Sequence, residues 1–191
     1  VNDQANFLRE VIELLEKCNV AYMVSGSIAS SFFGEPRATR DVDLVIDCDE
    51  KSLRQLIDQI ARSGWYVSDE AAMSALRERG MFNIIDPNSG WKADLIVRKD
   101  REYSIREFER RSPQPLFVEE HTPVPTVTPE DALLSKLEWC KASGHEQQLK
   151  DAESIGRVEG SNLDWDYLNY WANILEVRDL LEQLRQKILK Q

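Results

Sequence analysis

Apolar residues near the start of the chain recur at helical spacing. Phe7, Leu8, Val11, Ile12 and Leu15 share one stripe, with Arg9, Glu10 and Glu13 behind them, so an amphipathic helix is expected from Phe7 to Cys18. Val20 to Val24 is a short apolar run with β-branched and aromatic members, ended by Ser25-Gly26-Ser27, which predicts a strand feeding a tight turn. A helix is expected from Ser27 to Phe33, stopped at Gly34-Glu35-Pro36 because proline disfavours helical backbone in the residue before it. After a loop, Asp41 to Asp47 alternates: Val42, Leu44 and Ile46 fall on one strand face, Asp41 and Asp43 on the other.

Leu53, Leu56, Ile57 and Ile60 predict a helix over Ser52 to Ile60, and Asp69 to Arg79 forms another, closed by Gly80. Met81 to Ile85 and Trp91 to Val97 flank Asp86-Pro87-Asn88-Ser89-Gly90, a loop of hairpin length, and Asp94 lies inside the second strand. Five of the seven prolines fall between Ser112 and Glu130, which favours extended chain and marks a domain boundary, with residues 1–122 before it and 123–191 after. Glu130 to Cys140, Glu146 to Ile155, Asp164 to Trp171 and Leu175 to Ile188 read as a helical bundle, packed in part by Trp165 and Trp171.

Composition changes the picture in three ways. In 191 residues, 42% hydrophobic and 30% charged is an ordinary globular balance, so a core forms. With 34 acidic against 24 basic residues the net charge is −10, which argues against broad DNA binding while leaving room for a locally basic groove. Arg98 to Arg111 is such a locally basic stretch, which a solvated helix face explains and an RNA acceptor would use first. Cys18, Cys48 and Cys140 lack zinc-site spacing, and His121 and His145 are too isolated for a zinc site or a serine triad. A reduced, cytoplasmic protein is expected, with no membrane partner, since no apolar run approaches the roughly 18 residues of a span.

The candidate chemistry lies in Asp41 and Asp43, which open a hydrophobic strand thirteen residues after the Gly26-Ser27 turn. Mg²⁺ prefers oxygen ligands and is usually held by a few carboxylates plus substrate phosphates, and Asp94 on a neighbouring strand could add a third carboxylate. Gly26 lets backbone approach a phosphate, and Ser27 adds a hydroxyl beside the free N–H groups of the following helix. The same residues also fit plainer roles: a solvated strand face for Asp41, Asp43 and Asp94, and a serine-capped turn for Gly26 and Ser27. Arg37 and Thr39 are candidate pocket residues, and Arg40 is a further loop arginine. Lys136 is either a cation for a triphosphate or a solvated helix end, and Lys150 and Asp151 read more weakly, as helix surface charges.

At these positions the chain resembles the DNA polymerase β-type nucleotidyltransferase superfamily, whose signature is Gly-Ser, a spacer, and Asp-apolar-Asp-apolar. Here it reads Val24-Ser25-Gly26-Ser27, thirteen residues, then Asp41-Val42-Asp43-Leu44, with Ser25 where the superfamily prefers an apolar residue. Lys92-Ala93-Asp94-Leu95 is similar to the strand bearing the third carboxylate. Arg37-Ala38-Thr39-Arg40, the segment Pro129 to Leu137, and Lys150-Asp151 resemble the small bacterial nucleotidyltransferases related to abortive-infection toxins. The resemblance implies an α+β fold, a mixed β-sheet core flanked by helices and followed by a carboxy-terminal helical bundle. It further implies Mg²⁺-dependent transfer of a nucleotide from a nucleoside triphosphate to an acceptor hydroxyl of a small molecule, tRNA or protein. Asp41, Asp43 and Asp94 would ligate metal, and Gly26, Ser27, Arg37, Thr39 and Lys136 would bind the nucleotide. The alternative is a non-catalytic nucleotide- or partner-binding relative, such as a toxin–antitoxin component.

Overall fold

The stripe of apolar residues near the amino terminus lies on α1 (Asp3–Lys17), and its Phe7, Leu8, Val11 and Leu15 are buried. The computed structural model describes residues 3–117 and 123–188, so the isolated His121 lies outside the described residues. The short apolar run forms β1 (Ala21–Val24) and the alternating segment forms β2 (Asp41–Asp47), and the two pair antiparallel. The proline-poor middle of the chain adds β3 (Tyr66–Val67), β4 (Met81–Ile85) and β5 (Lys92–Val97). As expected for a short turn-rich loop, β4 and β5 form an antiparallel hairpin.

The proline-rich stretch contributes β6 (Ser112–Gln114) and β7 (Val124–Thr126), and its last proline, Pro129, opens a helix. Among the described residues the strands form one seven-stranded mixed sheet in the order β3-β4-β5-β2-β1-β7-β6. Two of its pairings are parallel, β2 with β5 and β1 with β7. On one face of the central pair, Val42, Leu44 and Ile46 of β2 and Ala93, Leu95 and Val97 of β5 are all fully buried. Each large aliphatic side chain so removed from water contributes roughly 1.5–3 kcal/mol, which fixes the other face of both strands as the polar one.

Besides α1, three helices accompany this sheet among the described residues. In α3 (Glu50–Arg62) Asp49 caps the first turn by accepting from the Ser52 N–H, and Leu53, Leu56, Ile57 and Ile60 are buried. In α4 (Asp69–Glu78) Ser68 does the same for Ala71, and the helix closes through Arg79 in the left-handed conformation, one residue before the glycine expected to stop it. The charged stretch forms α5 (Glu102–Arg110), and Arg98 just before it is paired with Asp47 at 3.0 Å.

The remaining helices are α2 (Gly26–Phe33), α6 (Pro129–Ser143), α7 (Glu146–Glu159), α8 (Trp165–Ile174) and α9 (Arg178–Ile188). Thr128 caps α6 and Pro129 occupies its first turn, where the missing N–H costs nothing. The described residues of Val1–Val24 and Thr39–Thr126 make one compact unit, and those of Ser25–Ala38 and Val127–Gln191 a second. The short α2 thus groups with α6 to α9. In that unit Leu133, Leu134, Leu137, Ile155, Leu168, Trp171 and Leu184 form the core. All three cysteines are free thiols, and among the described residues no helix is long and apolar enough to cross a membrane.

Gly34 ends α2 where no side chain fits. A Cβ there would lie 2.6 Å from Ser154 Oγ and 2.8 Å from the Ser30 carbonyl oxygen. The neighbouring Glu35 N–H meanwhile donates to Ser154 Oγ at 2.5 Å, so the serine cannot withdraw without losing that bond. Gly34→Ala is expected to cost about 1–3 kcal/mol, as overpacking does, and to lower the thermal midpoint by at least ~3 °C in a melting experiment.

Candidate active site

Residues paired in register on adjacent strands project to the same face of a sheet. In the parallel pairing of β2 with β5, Asp41 lies opposite Lys92 and Asp43 opposite Asp94. Since Val42, Leu44, Ala93 and Leu95 fill the buried face, Asp41, Asp43, Lys92 and Asp94 all occupy the polar one. The row continues onto β4, where Asn83 is the register partner of Asp94. The three carboxylates expected from the sequence therefore share one face of two neighbouring strands, with Asn83 of β4 beside them.

Asp94 is the best-held of the three, with its side chain only 13% exposed. Asn83 Nδ2 donates to its Oδ1, and Lys92 Nζ donates to Oδ2 at 3.2 Å while lying 3.1 Å from Oδ1. The Lys92 ammonium is pushed toward its charged form chiefly by the hydrogen bond to Asp94. Burial opposes this, and the negative charges of Asp94, Asp41 and Asp43 reinforce it. Thr39 stands just ahead of Asp41. Its hydroxyl accepts from the Asp41 N–H at 3.3 Å, and its carbonyl accepts from Gln4 Nε2 at 3.0 Å, tying the start of β2 to α1.

In the second unit, Gly26 opens α2 with φ at +59°, a left-handed conformation that glycine adopts without the strain of a side chain. Ser25 sits at the cap position with no side-chain capping bond. Ser27 Oγ accepts from Arg37 Nη2 at 2.8 Å. The Arg37 guanidinium also grips Asp151 in a fork, Nε to Oδ1 at 2.8 Å and Nη2 to Oδ2 at 2.7 Å. Lys136 Nζ lies 2.9 Å from Asp151 Oδ2, and Gln147 Nε2 donates to Oδ1 at 2.8 Å.

Asp151 is thus the hub joining three candidates, Ser27, Arg37 and Lys136, and sequence reasoning ranked it among surface charges. Both Asp151 and Lys136 are only 5% exposed. Burial by itself would raise the Asp151 carboxyl, but the bonds from Arg37, Lys136 and Gln147 outweigh it and hold the group at about 2. The signal was available: Asp151 shares a helix face with Ser154 and Ile155, both buried, and Lys136 is flanked by Leu133 and Leu137. Lys150, the adjacent candidate, is exposed. A cysteine nucleophile has no support, because burial pushes the Cys48 thiol up to about 11, with Asp47 and Asp49 adding to the effect.

No protein-family model matches the chain, and no curated protein matches it. Solved structures do. The antibiotic-resistance factor ANT(2'')-Ia superposes with a TM-score of 0.58 at 13% identity, covering 98% of this chain and 95% of that one. A second structure of that protein, in complex with adenylyl-2''-tobramycin, gives 0.58 at 13% identity over 97% and 99%. An antigenic nucleotidyltransferase-like protein from Paracoccidioides brasiliensis gives 0.53 at 18% identity over 96% and 93%. The α+β nucleotidyltransferase fold that the resemblance implies is the fold the chain adopts.

Removing the Asp151 charge strands a buried lysine and an arginine. Asp151→Asn is expected to cost about 3 kcal/mol at neutral pH in a denaturant titration. The carboxyl is lowered on folding from 3.8 to about 2, so its contribution is complete above the unfolded value and is lost as pH falls through the folded one. The wild type should therefore lose about 2 kcal/mol between roughly pH 5 and pH 2 from this group. The stability gap to Asp151→Asn should narrow over the same interval.

Proposed function

We propose that the chain is a Mg²⁺-dependent nucleotidyltransferase that moves a nucleotide from a nucleoside triphosphate to an acceptor hydroxyl and releases pyrophosphate. The observation that carries this reading is the register of β2 and β5, with Asp43 beside Asp94 and Asp41 one step along the same face. Carboxylates set directly opposite each other repel, and a surface strand gains nothing from them unless a cation is to be held. Hard carboxylate oxygens are the donors Mg²⁺ prefers. Among the described residues no three acidic, histidine or cysteine side chains are placed to hold a metal unaided. Mg²⁺ keeps protein carboxylates few and completes its shell with phosphate oxygens and water.

When bound, Mg²⁺ would neutralise charge growing on the phosphate oxygens in the transition state. Asp41 and Asp43 would hold it. Asp94 would accept the proton of the acceptor hydroxyl at a carboxylate oxygen as that oxygen bonds to the α-phosphorus and the bond to pyrophosphate breaks. Asn83, donating to Asp94, would orient the carboxyl for that task. Gly26, Ser27, Arg37 and Lys136 are the candidates for the triphosphate, on the strength of the spacing between Gly26-Ser27 and Asp41-Val42-Asp43 and of the bond linking Arg37 to Ser27. The fold likeness to a protein solved with adenylyl-2''-tobramycin favours a small hydroxylated acceptor over a macromolecule.

Incubation with labelled nucleoside triphosphates, Mg²⁺ and a cell extract tests the reading. Label is expected to pass to an acceptor with the wild type and to fall by at least ~100-fold with Asp43→Asn, since the metal and the transition-state charge it neutralises are lost together. Retained nucleotide binding with no transfer by the wild type would instead support the non-catalytic alternative.

A further inference from the structure

The carboxylate face already contains a cation of its own. Lys92 lies two residues from Asp94 on the same strand face and opposite Asp41 in register, and its ammonium sits astride both Asp94 oxygens at 3.1 and 3.2 Å. Its side chain is 40% exposed, so a flexible stem with its charged end in reach of solvent can leave that position without disturbing the core. A divalent ion arriving among Asp41, Asp43 and Asp94 meets a like charge whose field acts on the same three carboxylates.

We propose that Lys92 is a resident counter-cation that holds the carboxylate face until the triphosphate arrives. It lowers the affinity of the free protein for a divalent ion and transfers its ammonium from Asp94 to a substrate phosphate when nucleotide and metal bind together. The inference rests on the metal-binding reading of this face. Its consequence is ordered loading: a divalent ion binds weakly alone and tightly with the nucleotide, because the phosphate removes the competing positive charge from the carboxylates and holds it.

The test is Mn²⁺ binding, followed by the electron paramagnetic resonance of the free ion, with and without a non-hydrolysable nucleoside triphosphate analogue. Lys92→Met is expected to bind Mn²⁺ about tenfold more tightly than the wild type without nucleotide, and to lose most of the gain in Mn²⁺ affinity that the analogue gives the wild type. Lys92→Arg, which keeps the charge, should stay near the wild type. Melting curves of both variants, expected within ~3 °C of the wild type, show that they fold. Mn²⁺ binding that disappears in Asp43→Asn but is unchanged in Lys92→Met overturns the role of Lys92 and leaves the metal site standing. No Mn²⁺ binding by any form, with or without the analogue, overturns the metal site and this inference together.

Discussion

Like charges on adjacent strands repel, and two carboxylates about 5 Å apart at an effective dielectric of ~20 oppose each other by about 3 kcal/mol. The pairing of β2 with β5 accepts that cost, because the fully buried residues on the opposite face exclude a one-residue slip. Shifting either strand by one residue would turn Val42 and Leu44, or Ala93 and Leu95, out of the core and Asp43 or Asp94 into it. The apolar face therefore dictates where the acidic face lies, and the packing that stabilises the sheet also sets the geometry of the candidate active site. Lys92 and Asn83 offset part of the repulsion by donating to Asp94.

The second unit is organised by the opposite device, one carboxylate serving several cations. Asp151 gathers Arg37, Lys136 and Gln147 around its two oxygens and, through Arg37, fixes Ser27 beside the left-handed Gly26. A buried ion pair of this kind adds little net stability but is costly to break, which suits holding a backbone turn and a hydroxyl in one arrangement. Gly34 serves the same end of α2 by letting the chain pass against Ser154.

Local pattern made much of this legible. Strict alternation identified β2 at its observed ends, the turn-rich loop from Asp86 to Gly90 announced the hairpin of β4 and β5, and the proline cluster yielded the short strands β6 and β7 while Pro129 opens α6. The carboxylates at 41, 43 and 94 were chosen by residue type and spacing, and the sheet brings them to one face. What stayed hidden depends on partners far apart in sequence. The parallel register of β2 and β5 follows from a crossover that no local signal encodes, and the two-residue β3 is too short for periodicity to register. Asp151 reads as a surface charge because its cationic partners come from elsewhere in the chain, Lys136 from α6 and Arg37 from the loop after α2, 114 positions away. The grouping of α2 with the carboxy-terminal helices is a fact of packing, whereas its sequence neighbours belong to the sheet.

Crystals grown with Mn²⁺ and a non-hydrolysable nucleoside triphosphate analogue would address the metal-dependent transfer most directly through the anomalous signal of the ion. The nucleotidyltransferase reading predicts a peak about 2.1 Å from carboxylate oxygens of both Asp41 and Asp43, with phosphate oxygens completing the shell. An ion bound elsewhere, or a nucleotide seated with no ion on this face, would contradict it.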